Sequence, residues 1–485
     1  MSRYRVKGYI LLFLTVLLPA GCVTVGPDYA PPEISMPKGW NAKSEGGPSG
    51  KGMDAKALAL WWSSLNDPVL TGLIGRAVDN NHDIQAAKAR VRESRARLGI
   101  SSSERFPTVD ASGSARISRG SEETGTGDER RLYAAGFDAS WELDLFGGIK
   151  RSVEAAHADL QASEESLSEV LVSLAAEVAL NYVDVRTLQA RLSIAEANLN
   201  AQEETHRLVK AMYDAGLAPE FDVEQANYNL ENTRSQIPTL NIKLGEAMNR
   251  IAVLLGKGPG SVHNELSERG PIPVAQLEIA VGVPADILRQ RPDVRRTERE
   301  LAAQTARVGV AAAELYPKLT LTGSIGIEAL STDRLFLYDS RNYRMGPGLS
   351  WPVFHAGAIR KNVKVQSAKQ EQALIEYEET VLKALEEVEN AMSAYAGEQL
   401  RRKSLTEAAR AARHAAELAQ NLYFSGLSDF QGVLDVQRTL LSIEDKLAET
   451  EGNVTSGLIR IYKALGGGWK SPESAASDNS SSQKK

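Results

Sequence analysis

The chain has 485 residues, 42% of them hydrophobic and 24% charged, with 56 basic against 62 acidic side chains. A net charge of −6 argues against a dedicated nucleic-acid binder. Beyond the N-terminus no run approaches the roughly 18 consecutive apolar residues of a transmembrane helix. Membrane β-strands stay open, because their hydropathy signal is weak.

The start reads as an export signal over residues 1–21: Arg3, Arg5 and Lys7 are basic, and Tyr9 to Leu18 are apolar. "LLPAGC" closes it at Cys22, the single cysteine of the chain. This ending resembles a bacterial lipobox, although Pro19 stands where leucine is usual. Cys22 is therefore the expected lipidation site and the first residue of the mature chain.

From there the sequence is written twice. "YDAGLAPEFDVEQ" begins at Tyr213 and "YFSGLSDFQGVLD" at Tyr423, 210 residues later. The same offset pairs Pro107 with Pro317, Gly113 with Gly323, Trp141 with Trp351 and Gly256 with Gly466. One structural unit is thus used twice, over 83–256 and 293–466. Each copy opens with a helical pattern (83–105, 293–315) that a proline stops. The period then becomes two: Val109, Ala111, Gly113, Ala115 and Ile117 alternate with polar residues, as do Leu319, Leu321, Gly323, Ile325 and Ile327. β-Hairpins are expected over 107–146 and 317–354, with polar loops at 119–132 and 328–341. Pro347 and Pro352 weaken the last strand.

Long helices are expected over 149–213 and 358–423. At 1.5 Å per residue each spans about 100 Å. Leu171, Val178, Val185, Leu192 and Leu199 recur every seven residues, a coiled-coil period. Gly216 and Gly426 suit left-handed helix ends, and helices over 220–255 and 428–465 return. Alternating strands of about ten residues suit a lipid-facing barrel. Four strands cannot close alone, and open edges in lipid leave backbone groups unsatisfied. Two chains would give a filled barrel of eight strands, three chains twelve and a lumen.

"ILRQRPDVRRTERELAAQTARVGVAAAELYPKLTLTGSIG" (287–326), "CVTVGPDYAPPE", "GPGLSWPVFHAG", "SGLSDFQGVLDVQ" and "YKALGGGW" resemble the outer-membrane efflux protein family of TolC-like channels. They are most similar to its lipoprotein branch, which works with RND-type multidrug pumps. The resemblance implies a mixed α/β membrane protein. Its homotrimer would build a 12-stranded outer-membrane barrel, four strands per chain, continued by a periplasmic α-helical barrel with an internal two-fold repeat. It implies an equatorial region from 22–82 and the linker 257–292, and as partners a periplasmic adaptor (membrane fusion) protein, an inner-membrane pump and outer-membrane lipid. The function implied is a passive conduit for drugs and toxic compounds, lipid-anchored in the outer membrane.

The turns with Tyr213, Gly216, Tyr423 and Gly426 are then the expected adaptor-docking tips. Asp435 stands where the family carries a constricting aspartate, with Gln225 at the same position in the first copy. Gln431 stands at a plug position, or else belongs to a capping box with Ser428. No catalytic constellation, metal-ligand pair or cofactor motif is read. Arg289, Arg291, Arg295, Arg296 and Arg299, interleaved with acids, read as a solvated, self-paired helix face. The tail 467–485 reads as disordered. A type I protein-secretion duct would share this fold, and a structural periplasm-spanning lipoprotein would explain the helices but not the strands.

Overall fold

A computed structural model describes residues 24–33, 37, 39–40, 58–274 and 290–469. The export signal, Cys22, Arg289 and the tail from 470 onward lie outside the described residues. In chain order the elements are a 3-10 turn (Trp61–Leu65), α1 (Pro68–Asn80), α2 (His82–Ser103), β1 (Thr108–Arg119) and β2 (Glu129–Leu143). Then come α3 (Gly148–Asp214), α4 (Glu220–Leu254), the short α5 (His263–Leu266) and α6 (Pro292–Ala313). The chain closes with β3 (Lys318–Ala329), β4 (Arg341–Ser350), α7 (Ala358–Phe424) and α8 (Phe430–Ala464). Both long helices have 67 residues, so each runs about 100 Å. Described residues divide into two compact units, one built from 1–33, 90–164 and 296–378, the other from 34–89, 165–295 and 379–485.

The first unit holds one antiparallel sheet in the order β1-β2-β3-β4. The hairpins come from different repeats and meet at β2 and β3, with Phe137 opposite Ile325 and Trp141 opposite Leu321. The register keeps the two-residue period in phase across all four strands. Val109, Phe137, Ile325, Tyr343, Met345 and Leu349 share one face and are all exposed. The opposite face carries Asp110, Ser112, Asp138, Thr322, Ser324 and Arg344. A one-residue slip would exchange the two faces, so the register is strongly specified.

Both loops are shorter than the polarity suggests, 120–128 and 330–340. Arg119 pairs with Glu129 and carries the ladder past the apolar pattern. Pro347 does lie within a strand, opposite Leu321; β4 is an edge strand of this chain, where a missing N–H is tolerated. The repeat extends to single bonds: Trp141 Nε1 donates to the Arg105 carbonyl at 3.0 Å, and Trp351 Nε1 to the Leu315 carbonyl at 3.1 Å. Residues 24–28 are tied to the start of α3. Val25 N donates to the Phe146 carbonyl at 3.1 Å, and the buried Arg151 reaches Asp28 at 2.6 Å.

The second unit has the main core, in which Val178 and Val185 of the heptad seam are fully buried and Leu174 nearly so, while Leu192 is buried in a smaller cluster with Ala195 and Leu240. One 18-residue window of α3 reaches a mean hydropathy of 1.3, long and apolar enough to cross a membrane, a stretch the sequence reading passed over. With 44% of it buried, it is explained as the apolar stripe of a core helix. Trp61 stacks on Tyr462 with ring centroids 5.2 Å apart.

Four helices end in the same way, at Gly216, Gly256, Gly426 and Gly466, with φ from +68° to +74°. In each, the amide after the glycine donates back five residues, as Leu217 N does to the Met212 carbonyl at 2.8 Å, which is a Schellman cap. Two expectations are corrected here. Gly468 N donates to the Leu58 carbonyl and Trp469 lies under the Arg295 guanidinium, so 467–469 are packed and not part of a free tail. The arginine face is not simply solvated either. Arg291 is buried, bonding Asp293, Glu387 and the Ala464 carbonyl, while Arg295 pairs with Glu165. The reason is that the cluster sits where helices cross, and only α6's own acids were visible in the local sequence.

Candidate functional site

The turns after α3 and α7 and the first turns of α4 and α8 form the candidate site, all within the second unit. Gly216 and Gly426 hold φ of +73° and +71°, a region that costs a residue with a Cβ about 1–2 kcal/mol. Nothing lies within 4 Å of where a Cβ would be built at either glycine, so the constraint is conformational and the turn surface is open.

The two tyrosines of the repeat differ. Tyr213 is 42% exposed, while Tyr423 is 9% exposed and packs on Phe430 at 5.1 Å. Val209, Ala226, Val433 and Leu434 complete a small core beneath the turns. Around it Leu217, Phe221 and Leu427 are exposed, an apolar rim at the end of a helical hairpin.

Asp435 follows the buried Leu434 and is itself exposed. Gln431, one turn earlier, donates from Nε2 to Asp435 Oδ1 at 3.0 Å. The capping box with Ser428 is not formed. Asp429 caps α8 instead, accepting from Gly432 N at 3.1 Å, and this frees the Gln431 amide for Asp435. On the other side of Asp435, Arg438 approaches to 3.8 Å. Its Nε donates to Asn229 Oδ1 at 2.6 Å and its guanidinium lies over the Tyr228 ring at 5.5 Å. Asp435, Arg438, Asn229 and Tyr228 thus link α8 to α4.

Sequence reading missed Arg438, Asn229 and Tyr228. A signal existed: Tyr228 and Arg438 occupy the same position in the two repeats, 210 residues apart, as do Gln225 and Asp435. Where an otherwise faithful repeat replaces a neutral residue by a charged one twice on one helical face, symmetry has been broken locally. Two acids, Asp222 and Asp429, also interact here. Burial, together with the Asp429 carboxylate, raises the pKa of Asp222; burial and then Asp222 raise that of Tyr423. Acidification therefore discharges Asp222 and relieves its repulsion with Asp429.

Such a sheet, apolar on one exposed face and polar on the other, joined to helices of this length, defines a membrane channel subunit. The chain belongs to the outer membrane efflux protein family, whose model matches residues 73–257 and 283–467, once per repeat. It is 33% identical to nodulation protein T of Rhizobium leguminosarum bv. trifolii, covering 96% of this chain and 98% of that one. It is 32% identical to the toluene efflux pump outer membrane protein TtgI of Pseudomonas putida, covering 95% and 98%. Among solved structures, the outer-membrane channel OprN superposes with a TM-score of 0.87 at 37% identity, over 92% of this chain and 99% of that one. The chain is an outer-membrane efflux channel component with the TolC-like fold.

Proposed function

We propose that three copies close a twelve-stranded barrel and form the passive outer-membrane exit of a tripartite pump, fed by an RND-type transporter through a periplasmic adaptor. The carrying observation is the β2–β3 junction. It pairs the hairpin of one repeat with that of the other, and the free edges of β4 and β1 are the repeat equivalents of those same edges. A copy can therefore join the next copy as its own hairpins join each other. Three copies give twelve strands and a lumen lined by the Asp, Ser and Thr face. The relatives named for solvent and toluene efflux support cargo of that class.

Within that assembly the Gly216 and Gly426 turns, with their apolar rim, form the adaptor-docking tip. Asp435 forms a threefold acidic constriction, its charge countered in part by Arg438. Native mass spectrometry of purified protein should give trimers, and planar bilayers a conductance. Valine at both Gly216 and Gly426 should reduce export several-fold while trimers persist in the membrane. Trimers that fail to form, or undiminished export, would overturn the respective assignment. Asp435→Ala should weaken cation selectivity and change the closed-state conductance, because three like carboxylates around a narrow axis repel one another and attract cations. If neither moves, Asp435 is not in the constriction.

Cys22 is the proposed lipid anchor. Thr24, two residues on, accepts from Lys150 Nζ at 3.1 Å beside the sheet-to-helix junction, so the anchor would start close to the strands' helical end. One acyl chain alone binds membranes marginally, which makes the barrel the permanent anchor. Mass spectrometry of the mature N-terminus should show an acylated Cys22; an unmodified terminus elsewhere would refute it.

A further inference from the structure

The apolar face of the sheet is not evenly filled. Phe137, Ile325 and Tyr343 stand in one cross-strand row, and Ile327 and Arg341 belong to the next. Between the rows lies a groove of about 870 Å3, lined also by Tyr338 of the loop between β3 and β4. Most of its lining side chains, Ala111, Ala135, Phe137, Ile325, Ile327 and Tyr343 among them, belong to the apolar face, and Ser112 and Asn342 of the opposite face line it beside Gly136 and Gly326.

This groove is lined by one cation, Arg341. The Arg341 guanidinium lies 4.9 Å from the Tyr338 ring centre, and among the described residues no carboxylate forms an ion pair with it. Arg341 begins β4, at the loop end of the sheet, away from the helices. On a lipid-facing surface an arginine is tolerated near the interface, where its stem lies along apolar surface and its head meets an anion. A planar guanidinium grips phosphate through two parallel hydrogen bonds, and here an aromatic ring holds it in place. The charge of Arg341 and the apolarity of most of the remaining lining thus complement one molecule, anionic at its head and aliphatic in its tail.

We infer that this groove binds a phosphate-bearing acyl lipid of the outer leaflet, with an acyl chain along Phe137 and Ile325 and the phosphate on Arg341. The inference rests on the proposed barrel, in which this face meets lipid. Full-length channels are titrated with bisphosphorylated lipid A, with its phosphate-free counterpart and with phosphatidylcholine, and the retained lipid is read by native mass spectrometry. Wild type should retain the bisphosphorylated lipid at a concentration about tenfold lower than the others. Arg341→Ala should abolish that preference, Arg341→Lys should keep part of it, and Ile325→Trp should lower retention of every lipid by filling the groove. Bilayer conductance confirms that each variant has assembled. Equal retention of all lipids by wild type, an undiminished preference in Arg341→Ala, or a neighbouring copy's segment found cross-linked into the groove would overturn the lipid site. A nitroxide at Leu349, on the same face, separates the two readings. If oxygen reaches it from the bilayer while the phosphate preference is absent, the site alone fails; if it is shielded, the barrel reading fails with it.

Discussion

Replacing Arg291 with alanine is expected to cost the folded chain about 3–5 kcal/mol, the range for removing one partner of a buried ion pair. Its guanidinium bonds Asp293 at 2.7 Å, Glu387 at 2.8 Å and the Ala464 carbonyl at 2.6 Å, so acceptors on three elements would lose it together, although Glu387 keeps Lys463 at 3.6 Å. The repeat shows what the position is for. Asn81, the equivalent residue, likewise donates to the Leu254 carbonyl at 2.9 Å, closing the end of α4 as Arg291 closes α8. Thermal unfolding followed by circular dichroism should show the loss, with Arg291→Lys intermediate because ammonium cannot span all three.

The same substitution should change the acid limit. Burial alone would raise the pKa of Asp293, but hydrogen bonds and charge from Arg291, with the Val294 amide, hold it below the ordinary carboxylate range. A depressed carboxyl stabilises above its unfolded pKa and loses that contribution as pH falls through the folded one. Without Arg291 only backbone amides oppose the burial, so the variant should unfold at a higher pH than wild type. An unchanged acid midpoint would mean the pair contributes nothing to folding.

Leu434→Ala is expected to destabilise the turn region by about 2–5 kcal/mol, as large-to-small core substitutions do. Leu434 is 1% exposed and packs with Val209, Tyr423, Phe430 and Val433. Since the next residue is Asp435, a cavity here loosens the face that carries the proposed constriction. Bilayer recordings should show more frequent opening with cation preference retained, whereas Asp435→Ala alters preference with little effect on melting. Identical behaviour of the two variants would show that the core and the carboxylate do not act separately.

Much of this molecule was legible because its signals are local or periodic. Gly216 and Gly426 were readable as helix ends because a left-handed turn is sterically cheap only for glycine. Alternation marked the strands, the heptad seam marked α3, and the 210-residue offset marked the repeat. Other contacts were not legible because their partners are remote. Asp429 rather than Ser428 caps α8, and that choice depends on how the chain leaves the turn, which releases Gln431 to bond Asp435. Arg438 finds Asn229, 209 residues away, only once α8 lies beside α4.

By itself, then, the sequence determined the elements, their doubling and the two faces of each strand. These follow from steric limits on single residues and from period, which act over a few positions. Tertiary structure alone decided that β2 pairs with β3, that Arg291 is buried between Asp293 and Glu387, and that a groove on the apolar face is lined by Arg341. Each of these joins residues tens to hundreds of positions apart, and such a contact forms only when packing of the whole unit compensates the entropy of closing the loop between them.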